Sequence, residues 1–198
     1  MQKFVVGLTG PTGSGKSTAR EIAAELGFFC IDADKVARDA TKTGSPLLPV
    51  LQKEFGDILN LDGSLNRAKL ASAAFCDTAS TEKLNSIMLP HIVGMIENII
   101  KSSESEFVLL DAPTLFEAGA QKICQKTVGV VADENIRLKR IMARDNITED
   151  AAKLRMSAGK QQSFYEENCD YILTNNSTAD EFILSAKELF TKLKQEAV

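Results

Sequence analysis

The sequence has no tryptophan and only one histidine, His91, among its 198 residues. Zinc sites and disulfide frameworks rely on closely spaced cysteines or histidines. The cysteines of this chain stand far apart and form no C-x-x-C pair, so neither kind of site is expected. We interpret His91 as a packing residue and predict reduced, partly buried thiols in a cytoplasmic protein. The four cysteines are Cys30, Cys76, Cys124 and Cys169.

An excess of basic residues and long apolar runs are also missing. The net charge is −4, whereas proteins that bind nucleic acid or anionic membranes broadly favour a basic surface. No apolar run approaches the roughly 20 residues that a membrane span needs. The short apolar run near the N-terminus leads straight into a glycine-rich loop, which indicates a core strand rather than a signal peptide. We therefore expect a small-molecule substrate and neither a nucleic-acid nor a membrane partner.

The glycine-rich loop is the most informative segment that is present. Residues 10–17 read Gly-Pro-Thr-Gly-Ser-Gly-Lys-Ser and match G-x-x-x-x-G-K-[ST], the motif of the phosphate-binding P-loop. Apolar residues 4–8 predict a strand before it, and residues 17–26 predict a helix after it, ended by Gly27. A glycine-rich turn with a chance lysine is the alternative, but it does not account for this context. The sequence predicts a bound nucleoside triphosphate.

The physical chemistry of the motif assigns a role to each part of the loop. Glycines let successive backbone N–H groups turn inward, and the helix adds its positive N-terminal end. Lys16 is expected to reach the outer phosphates, and the Ser17 hydroxyl to ligate Mg²⁺. The candidate nucleotide-binding residues are Pro11, Thr12, Gly13, Ser14, Gly15, Lys16, Ser17 and Thr18.

Strand and helix signals alternate along the chain, which implies parallel strand pairing. Pro90 lies inside a helical pattern and is expected to kink or restart the helix, and Thr178 with Glu181 predicts a capping box at the last helix. We predict an α/β fold: a doubly wound, five-stranded parallel sheet of P-loop kinase type with a helical insertion and a lid. The predicted later strands cover residues 28–31, 107–111, 127–132 and 171–174; the core covers about 1–34, 103–133 and 166–198, the insertion about 35–102 and the lid about 134–165.

Three aspartates follow predicted strands at the edge of the sheet where ligands bind. Asp34 is expected to face the acceptor and to orient or deprotonate its hydroxyl. Asp32 is expected to cap the helix that begins near Lys35 and is kept among the substrate-binding candidates. Asp111 ends the third strand, as a Walker-B acid does, and is with Ser17 a candidate Mg²⁺ ligand. A turn role is the alternative for Asp111.

Three arginines share one face of a helix that follows the fourth strand. Arg137, Arg140 and Arg144 are three and four residues apart, and Asp133 is the expected N-cap. A basic stripe is usually a solvated helix face. Its place in a P-loop fold favours a lid whose arginines close on the phosphates, because guanidinium groups match phosphate oxygens. The catalytic candidates are Asp34, Lys16, Arg144 and Arg140.

Five short segments between the N-terminus and residue 145 resemble, in their order, the motifs of the dephospho-coenzyme A kinase family. Each segment alone is weak, but the combination is specific, and a looser match continues to Asn175-Asn176. The segments are Gly7-Leu8-Thr9-Gly10 before the P-loop, Ile31-Asp32-Ala33-Asp34 with Ala37-Arg38, Leu65-Asn66-Arg67 with Leu70, Asp111-Ala112-Pro113 with Leu115-Phe116-Glu117, and Arg140 with Met142-Ala143-Arg144-Asp145.

The resemblance implies a nucleotide-binding core, a helical acceptor region and a lid. It implies ATP- and Mg²⁺-dependent phosphorylation of the ribose 3′-hydroxyl of dephospho-coenzyme A, the last step of coenzyme A synthesis. Asp34 would be the base, Lys16 and Ser17 the phosphate and Mg²⁺ contacts, and Arg144 a lid arginine. Another P-loop small-molecule or nucleoside monophosphate kinase, or a catalytically weak ATP-binding relative, stays open as an alternative. Besides Asp32, the substrate-binding candidates are Arg38, Arg67, Pro113, Leu115 and Glu117.

Overall fold

The computed structural model describes residues 3–197. The chain divides into two compact units. One comprises the chain up to Ile31 together with the chain from Ser103 onward, and the other is Asp32–Ser102. The first unit carries the P-loop, and the second carries the segment that was predicted to be a helical insertion.

A five-stranded sheet forms the centre of the first unit. The strand order is β2-β3-β1-β4-β5, and the pairings of β1 with β3, β1 with β4 and β4 with β5 are all parallel. This arrangement confirms the predicted α/β fold with a five-stranded parallel sheet. The strands are β1 (Phe4–Thr9), β2 (Phe29–Asp32), β3 (Phe107–Asp111), β4 (Lys126–Val131) and β5 (Tyr171–Thr174).

Helices connect the strands and make up most of the second unit. Within residues 3–197, no helix is both long enough and apolar enough to cross a membrane. The α-helices are α1 (Lys16–Glu25), α2 (Ala33–Asp39), α3 (Leu47–Phe55), α4 (Arg67–Ala74), α5 (Thr78–Ser102), α6 (Glu134–Asp145), α7 (Glu149–Ser157), α8 (Gln162–Asn168) and α9 (Ala179–Glu196), with a short 3-10 helix at Ala120–Ile123.

The core of the first unit packs α1 and α9 against the sheet. Phe28 and Phe190 meet with their ring centroids 5.6 Å apart. The capping box predicted at Thr178 and Glu181 is present and begins α9. Because the buried strand residues are apolar, the sheet is a rigid platform from which the P-loop projects. The core includes Val6, Leu8, Ala19, Ile22, Leu109, Val128, Val130, Leu173, Phe182, Ala186 and Leu193.

The second unit packs α2, α3 and α4 against α5. Asp32 caps α2, as predicted: its carboxylate accepts a hydrogen bond from the Lys35 backbone N–H at 2.8 Å. Asn66 caps α4 in the same way, accepting from the Lys69 N–H at 3.0 Å. These caps satisfy N–H groups that have no partner inside the helix, so the starts of both helices are well defined.

The helix α5 runs for 25 residues through Pro90 without interruption, so the restart named as one outcome at Pro90 does not occur, and a kink there stays a prediction. Proline removes one N–H donor and thereby leaves the carbonyl of Ser86, four residues earlier, without its helical partner. Both residues are exposed, so water can satisfy that carbonyl. On the opposite face Ile92 and Ile96 are buried and hold the helix in one piece.

Candidate active site

The P-loop follows β1 and has the strongly curved backbone that its glycines allow. Gly10 has a φ of 141° and Gly15 a φ of 105°, values that residues with a side chain rarely adopt. A Cβ at Gly10 would lie 2.1 Å from the Val130 carbonyl oxygen, and one at Gly15 would lie 2.2 Å from Asn175 Nδ2. These two glycines therefore let the loop pack directly against β4 and the end of β5.

The N-terminus of α1 opens at the end of this loop. In the described chain, no side chain caps α1 and its first turn contains no acidic residue. Its first N–H groups and the positive end of its dipole can therefore serve an anion. The ammonium group of Lys16 bonds to the carbonyl oxygens of Gly10 and Pro11, at 2.7 and 3.1 Å. Lys16 thus bridges the two ends of the loop. The fit to a polyphosphate is good, since curved backbone, helix end and lysine lie together.

Asn175 supports the loop from the other side. It directly follows β5, is 6% exposed, and donates from Nδ2 to the Ser14 carbonyl oxygen at 2.8 Å. Its Oδ1 accepts from Arg140 NH2 at 3.1 Å. The Ser14 hydroxyl is buried and has no hydrogen-bond partner among residues 3–197. One buried amide therefore joins the P-loop to the helix that carries the candidate arginines.

Asp111 lies at the end of β3, paired in register with Leu8 of the neighbouring β1. One carboxylate oxygen lies 3.3 Å from Arg20 NH1 on α1, and its side chain is 13% exposed. The thiol of Cys30 lies near both groups. Its pKa is raised, mainly because the thiol is buried; the charge of Arg20 lowers this pKa and the charge of Asp111 raises it. The segment after Asp111 stays close to β1, because Thr9 Oγ1 donates to the Pro113 carbonyl at 3.3 Å.

A family model described as dephospho-CoA kinase matches residues 4–181. The chain belongs to the dephospho-CoA kinase family. A dephospho-CoA kinase of Corynebacterium jeikeium is 36% identical over 91% of this chain and 94% of its own length. One from Geobacillus kaustophilus is 34% identical over 97% of this chain and 96% of its own. The resemblance read from the short sequence segments is thereby confirmed.

Solved structures share the fold of this chain. A crystal structure from Thermus thermophilus matches with a TM-score of 0.83 at 25% identity, covering 97% of this chain and 98% of the other. A dephospho-CoA kinase from Campylobacter jejuni matches over the whole of both chains with a TM-score of 0.71 and 26% identity. A shikimate kinase from Bacteroides thetaiotaomicron has a TM-score of 0.55 and 16% identity over 96% of this chain and 98% of its own, which shows a shared fold alone.

The predicted basic stripe on α6 separates into three different environments. Arg137 is buried and donates from Nε to the Ala132 carbonyl at 3.0 Å, and burial lowers its pKa. Arg140 is bound to Asn175, and its NH1 is buried without a partner in the described chain. Arg144 is exposed and pairs with Asp145. The three arginines are therefore not equally accessible: the α6 backbone at Arg137 lies close to Gly13 of the P-loop, whereas Arg144 is exposed. A lid whose arginines close on the phosphates stays a prediction.

The start of α6 corrects a second expectation. Asp133 occupies the N-cap position but its side chain does not cap the helix. Its carboxylate instead accepts from Asn176 Nδ2 at 2.6 Å, and its backbone N–H donates to Asn176 Oδ1 at 2.8 Å. This reciprocal pair ties α6 to the loop that follows β5. The competing partner is a side chain distant in sequence, which local capping rules cannot anticipate.

The acceptor-side candidates of the second unit lie on its helices α2 and α4 and are exposed. Asp34 is in the first turn of α2, two residues after the cap, and Arg38 is in the last turn. Arg67 begins α4 and donates from NH2 to Thr41 Oγ1 at 3.3 Å. All three side chains are exposed to solvent, and their roles toward a substrate stay predictions.

The segment after Asp111 contains one misassigned residue. Leu115 is fully buried, and a Cβ at Gly7 would lie 2.8 Å from its Cδ2. The interpretation of Leu115 as a substrate contact does not fit this burial, because the side chain belongs to the core beside β1. Pro113 is half-buried and Glu117 exposed, so both stay candidates. Phe116 meets Phe164 at a centroid distance of 5.4 Å, which fixes the segment to α8.

Oxygen donors for a divalent cation are few. Among residues 3–197, no group of three or more His, Cys, Asp or Glu side chains is placed to hold a metal ion. Mg²⁺ commonly takes one or two protein oxygens and completes its shell with water and substrate phosphates. The Ser17 hydroxyl and the Asp111 carboxylate are hard oxygen donors of this kind, so the donor set fits Mg²⁺.

Two site residues were not predicted from the sequence. Asn175 follows a buried strand at the same edge of the sheet as the P-loop, and that position was the available signal. Arg20 stands four residues after Lys16 on α1 and so shares its helix face, which was a weaker signal. Neither signal identifies the hydrogen-bond partner of the residue, because Ser14 is far from Asn175 in sequence and Asp111 is far from Arg20.

Proposed function

We propose that the protein transfers the γ-phosphoryl group of ATP to the ribose 3′-hydroxyl of dephospho-coenzyme A, giving coenzyme A and ADP. The observation that best supports this proposal is an intact P-loop, with Lys16 bridging its two ends, in a chain of the dephospho-CoA kinase family. The reaction is a phosphoryl transfer, in which catalysis consists mainly of positioning and charge stabilisation. The proposal places it in the cytoplasm, where the four unpaired cysteines would stay reduced.

The donor phosphates would lie across the loop and the N-terminus of α1. Lys16 would exchange the Gly10 and Pro11 carbonyls for outer phosphate oxygens, which are stronger acceptors because they are charged. When bound, Mg²⁺ offsets charge on these oxygens, and Ser17 with Asp111 would hold it. Pro11 lacks an N–H group, so the remaining amides of the loop carry the contacts.

The acceptor would be oriented by Asp34. A carboxylate that accepts a hydrogen bond from the 3′-hydroxyl fixes its oxygen in line with the γ-phosphorus and receives the proton late in the transfer. Arg38 and Arg67 are exposed cations of the same unit and suit the anionic diphosphate of dephospho-coenzyme A. Asp32 would contribute mainly by capping α2 and so fixing Asp34.

Closure of the lid would exclude water from the site. In an open site, water could attack ATP in place of the acceptor hydroxyl. The moving part would begin beyond Arg140, because hydrogen bonds to Ala132 and Asn175 hold Arg137 and Arg140 in place. Arg144 is exposed and would add its guanidinium to the charge that is spread over the transferring group.

Mass spectrometry of the acceptor tests the proposal. Incubation with ATP, Mg²⁺ and dephospho-coenzyme A should add one phosphoryl group to the acceptor, with ADP formed in equal amount. Coenzyme A already carries the 3′-phosphate and is the matched control, so it should gain nothing. ADP formation with no change in the mass of dephospho-coenzyme A would refute the proposal, as would phosphorylation of both acceptors.

A further inference from the structure

The contacts of Asn175 point to a role that the P-loop motif does not include. We infer that Asn175 is a positioning residue of the phosphate site, which orients the Ser14–Gly15 peptide toward the donor phosphates and couples Arg140 to it. This inference rests on the proposed function, since it names a further residue that serves the same site. The inference depends on the two ends of one buried amide.

The first end is the donor. Asn175 Nδ2 bonds to the Ser14 carbonyl oxygen at 2.8 Å. In a trans peptide the C=O and the following N–H point in opposite directions, and none of the described peptides is cis. Holding the Ser14 oxygen toward Asn175 therefore turns the Gly15 N–H away from it. Within residues 3–197 that N–H meets no acceptor, so it is available to a phosphate oxygen.

The close approach of the two segments depends on glycine. A Cβ at Gly15 would lie 2.2 Å from Asn175 Nδ2, and the φ of Gly15 is 105°. The glycine that the motif specifies at this position thus leaves room for the amide of Asn175. A larger residue at either position would separate the loop from its support.

The second end is the acceptor. Asn175 Oδ1 receives a hydrogen bond from Arg140 NH2 at 3.1 Å, while Arg140 NH1 is buried and has no partner in the described chain. A buried guanidinium nitrogen without an acceptor is costly, and a phosphate oxygen would relieve that cost. The amide therefore sets the P-loop peptide and this guanidinium in one fixed relation.

The backbone around Asn175 is itself held firmly. Its N–H donates to the Val131 carbonyl at the end of β4, at 2.8 Å. The next residue, Asn176, exchanges two hydrogen bonds with Asp133. A side chain on such a rigid base can impose orientation on a glycine-rich loop, which has little rigidity of its own.

The chemistry requires an asparagine. The carboxamide is a short side chain that carries both a donor and an acceptor. Asn175→Asp keeps the shape and the acceptor for Arg140 but faces the Ser14 carbonyl with a second acceptor. Asn175→Ala removes both bonds without adding charge. Asn168→Asp makes the same chemical change at an exposed position of α8 and is the matched control.

The test is the affinity of each variant for ATP, for inorganic tripolyphosphate and for dephospho-coenzyme A. Asn175→Asp and Asn175→Ala should bind ATP and tripolyphosphate at least about tenfold more weakly, with the KM for ATP raised accordingly. Their affinity for dephospho-coenzyme A should stay near that of Asn168→Asp, although their melting temperatures should fall somewhat because the buried Ser14 carbonyl loses its partner. Unchanged ATP affinity would overturn the inference. A loss of affinity for all three ligands with a lowered melting temperature would also overturn it, because a general structural role would then suffice.

If neither Asn175 variant folds, a measurement on the wild-type protein tests the inference instead. In a crystal structure with ADP, the Gly15 N–H should contact a phosphate oxygen while the Ser14 carbonyl stays on Asn175 Nδ2. Release of that carbonyl in the complex would refute the inference. ATP binding does not require the acceptor, so a wild type that binds ATP but leaves dephospho-coenzyme A unchanged would refute only the proposed function.

Discussion

Arg144 donates two hydrogen bonds to Asp145, from Nε to Oδ1 at 2.8 Å and from NH2 to Oδ2 at 2.9 Å. The hydrogen bond between them is the largest cause both of the raised pKa of Arg144 and of the lowered pKa of Asp145. Arg155 bonds to the same carboxylate. Arg144 is 59% exposed, and water screens such pairs so that they hold weakly. Arg144 can therefore leave Asp145 for a phosphate at little cost.

Arg144→Ala should lower kcat by at least about 100-fold and change ATP affinity much less, because in the proposed mechanism the guanidinium acts on charge that develops during transfer. Steady-state kinetics with dephospho-coenzyme A provides the measurement. Lys139→Ala removes a positive charge from an exposed position of the same helix and should leave kcat near that of the wild type. Equal losses in both variants would mean that only the net charge of α6 matters.

Asp34→Asn should retain ATP binding while kcat falls by about 100-fold or more, since the amide cannot receive the proton of the 3′-hydroxyl. Asp39→Asn makes the same change within α2, at a residue that pairs with Lys42, and should retain turnover. Rates at saturating acceptor and ATP binding by calorimetry separate the two effects. Near-normal turnover of Asp34→Asn would remove this carboxylate from the role of base.

Gly15→Ala should destabilise the fold by about 1–3 kcal/mol, because alanine would be strained at a φ of 105°. It should also abolish measurable ATP binding, since the new methyl group would push the loop away from Asn175. Gly94→Ala is the control in α5, where a Cβ meets nothing within 4 Å. It should be stabilised by about 0.5–1 kcal/mol through helix propensity. Urea unfolding of both variants gives the comparison, and a neutral Gly15→Ala would be inconsistent with the described loop.

One cysteine should react far faster than the others in the native protein at pH 8. Burial raises the pKa of Cys124 to about 12 and that of Cys169 to about 11, and it also raises the pKa of Cys30. These thiols stay protonated at pH 8, and the thiolate is the reactive form. Cys76 is exposed. Titration of the native protein with a chromogenic disulfide should therefore show one fast thiol, and this fast reaction should be lost in Cys76→Ser. After unfolding, all four thiols should react. Rapid reaction of Cys124 in the native protein would contradict its burial.

The sequence was sufficient for features that depend on local chemistry. The strands Phe107–Asp111 and Tyr171–Thr174 have the predicted bounds, because each is a short apolar run between polar residues. The caps at Asp32 and Thr178 were also predictable, since the capping residue and its partner are three residues apart. The P-loop belongs to the same class, because the motif itself contains the glycines that its backbone requires.

Features that depend on tertiary contacts were not predictable in this way. Asp133 was expected to cap α6, but Asn176 competes for its carboxylate from 43 residues away. The sequence pattern puts Arg137 among the lid arginines, yet its side chain is buried and bonds to the Ala132 carbonyl. Leu115 is a substrate-binding candidate by sequence, yet its side chain fills the space beside Gly7. In each case sequence periodicity shows a face of an element but not what covers that face.

Phosphorus NMR of the complete reaction tests the central claim most directly. With ATP, Mg²⁺ and dephospho-coenzyme A, the γ-phosphate resonance of ATP should disappear while a phosphomonoester resonance grows to the same integral. Coupling of that phosphorus to the ribose H3′ should identify the modified hydroxyl. A growing inorganic phosphate resonance, a phosphomonoester on another hydroxyl, or an unchanged ATP spectrum would contradict a 3′-phosphotransfer at this P-loop.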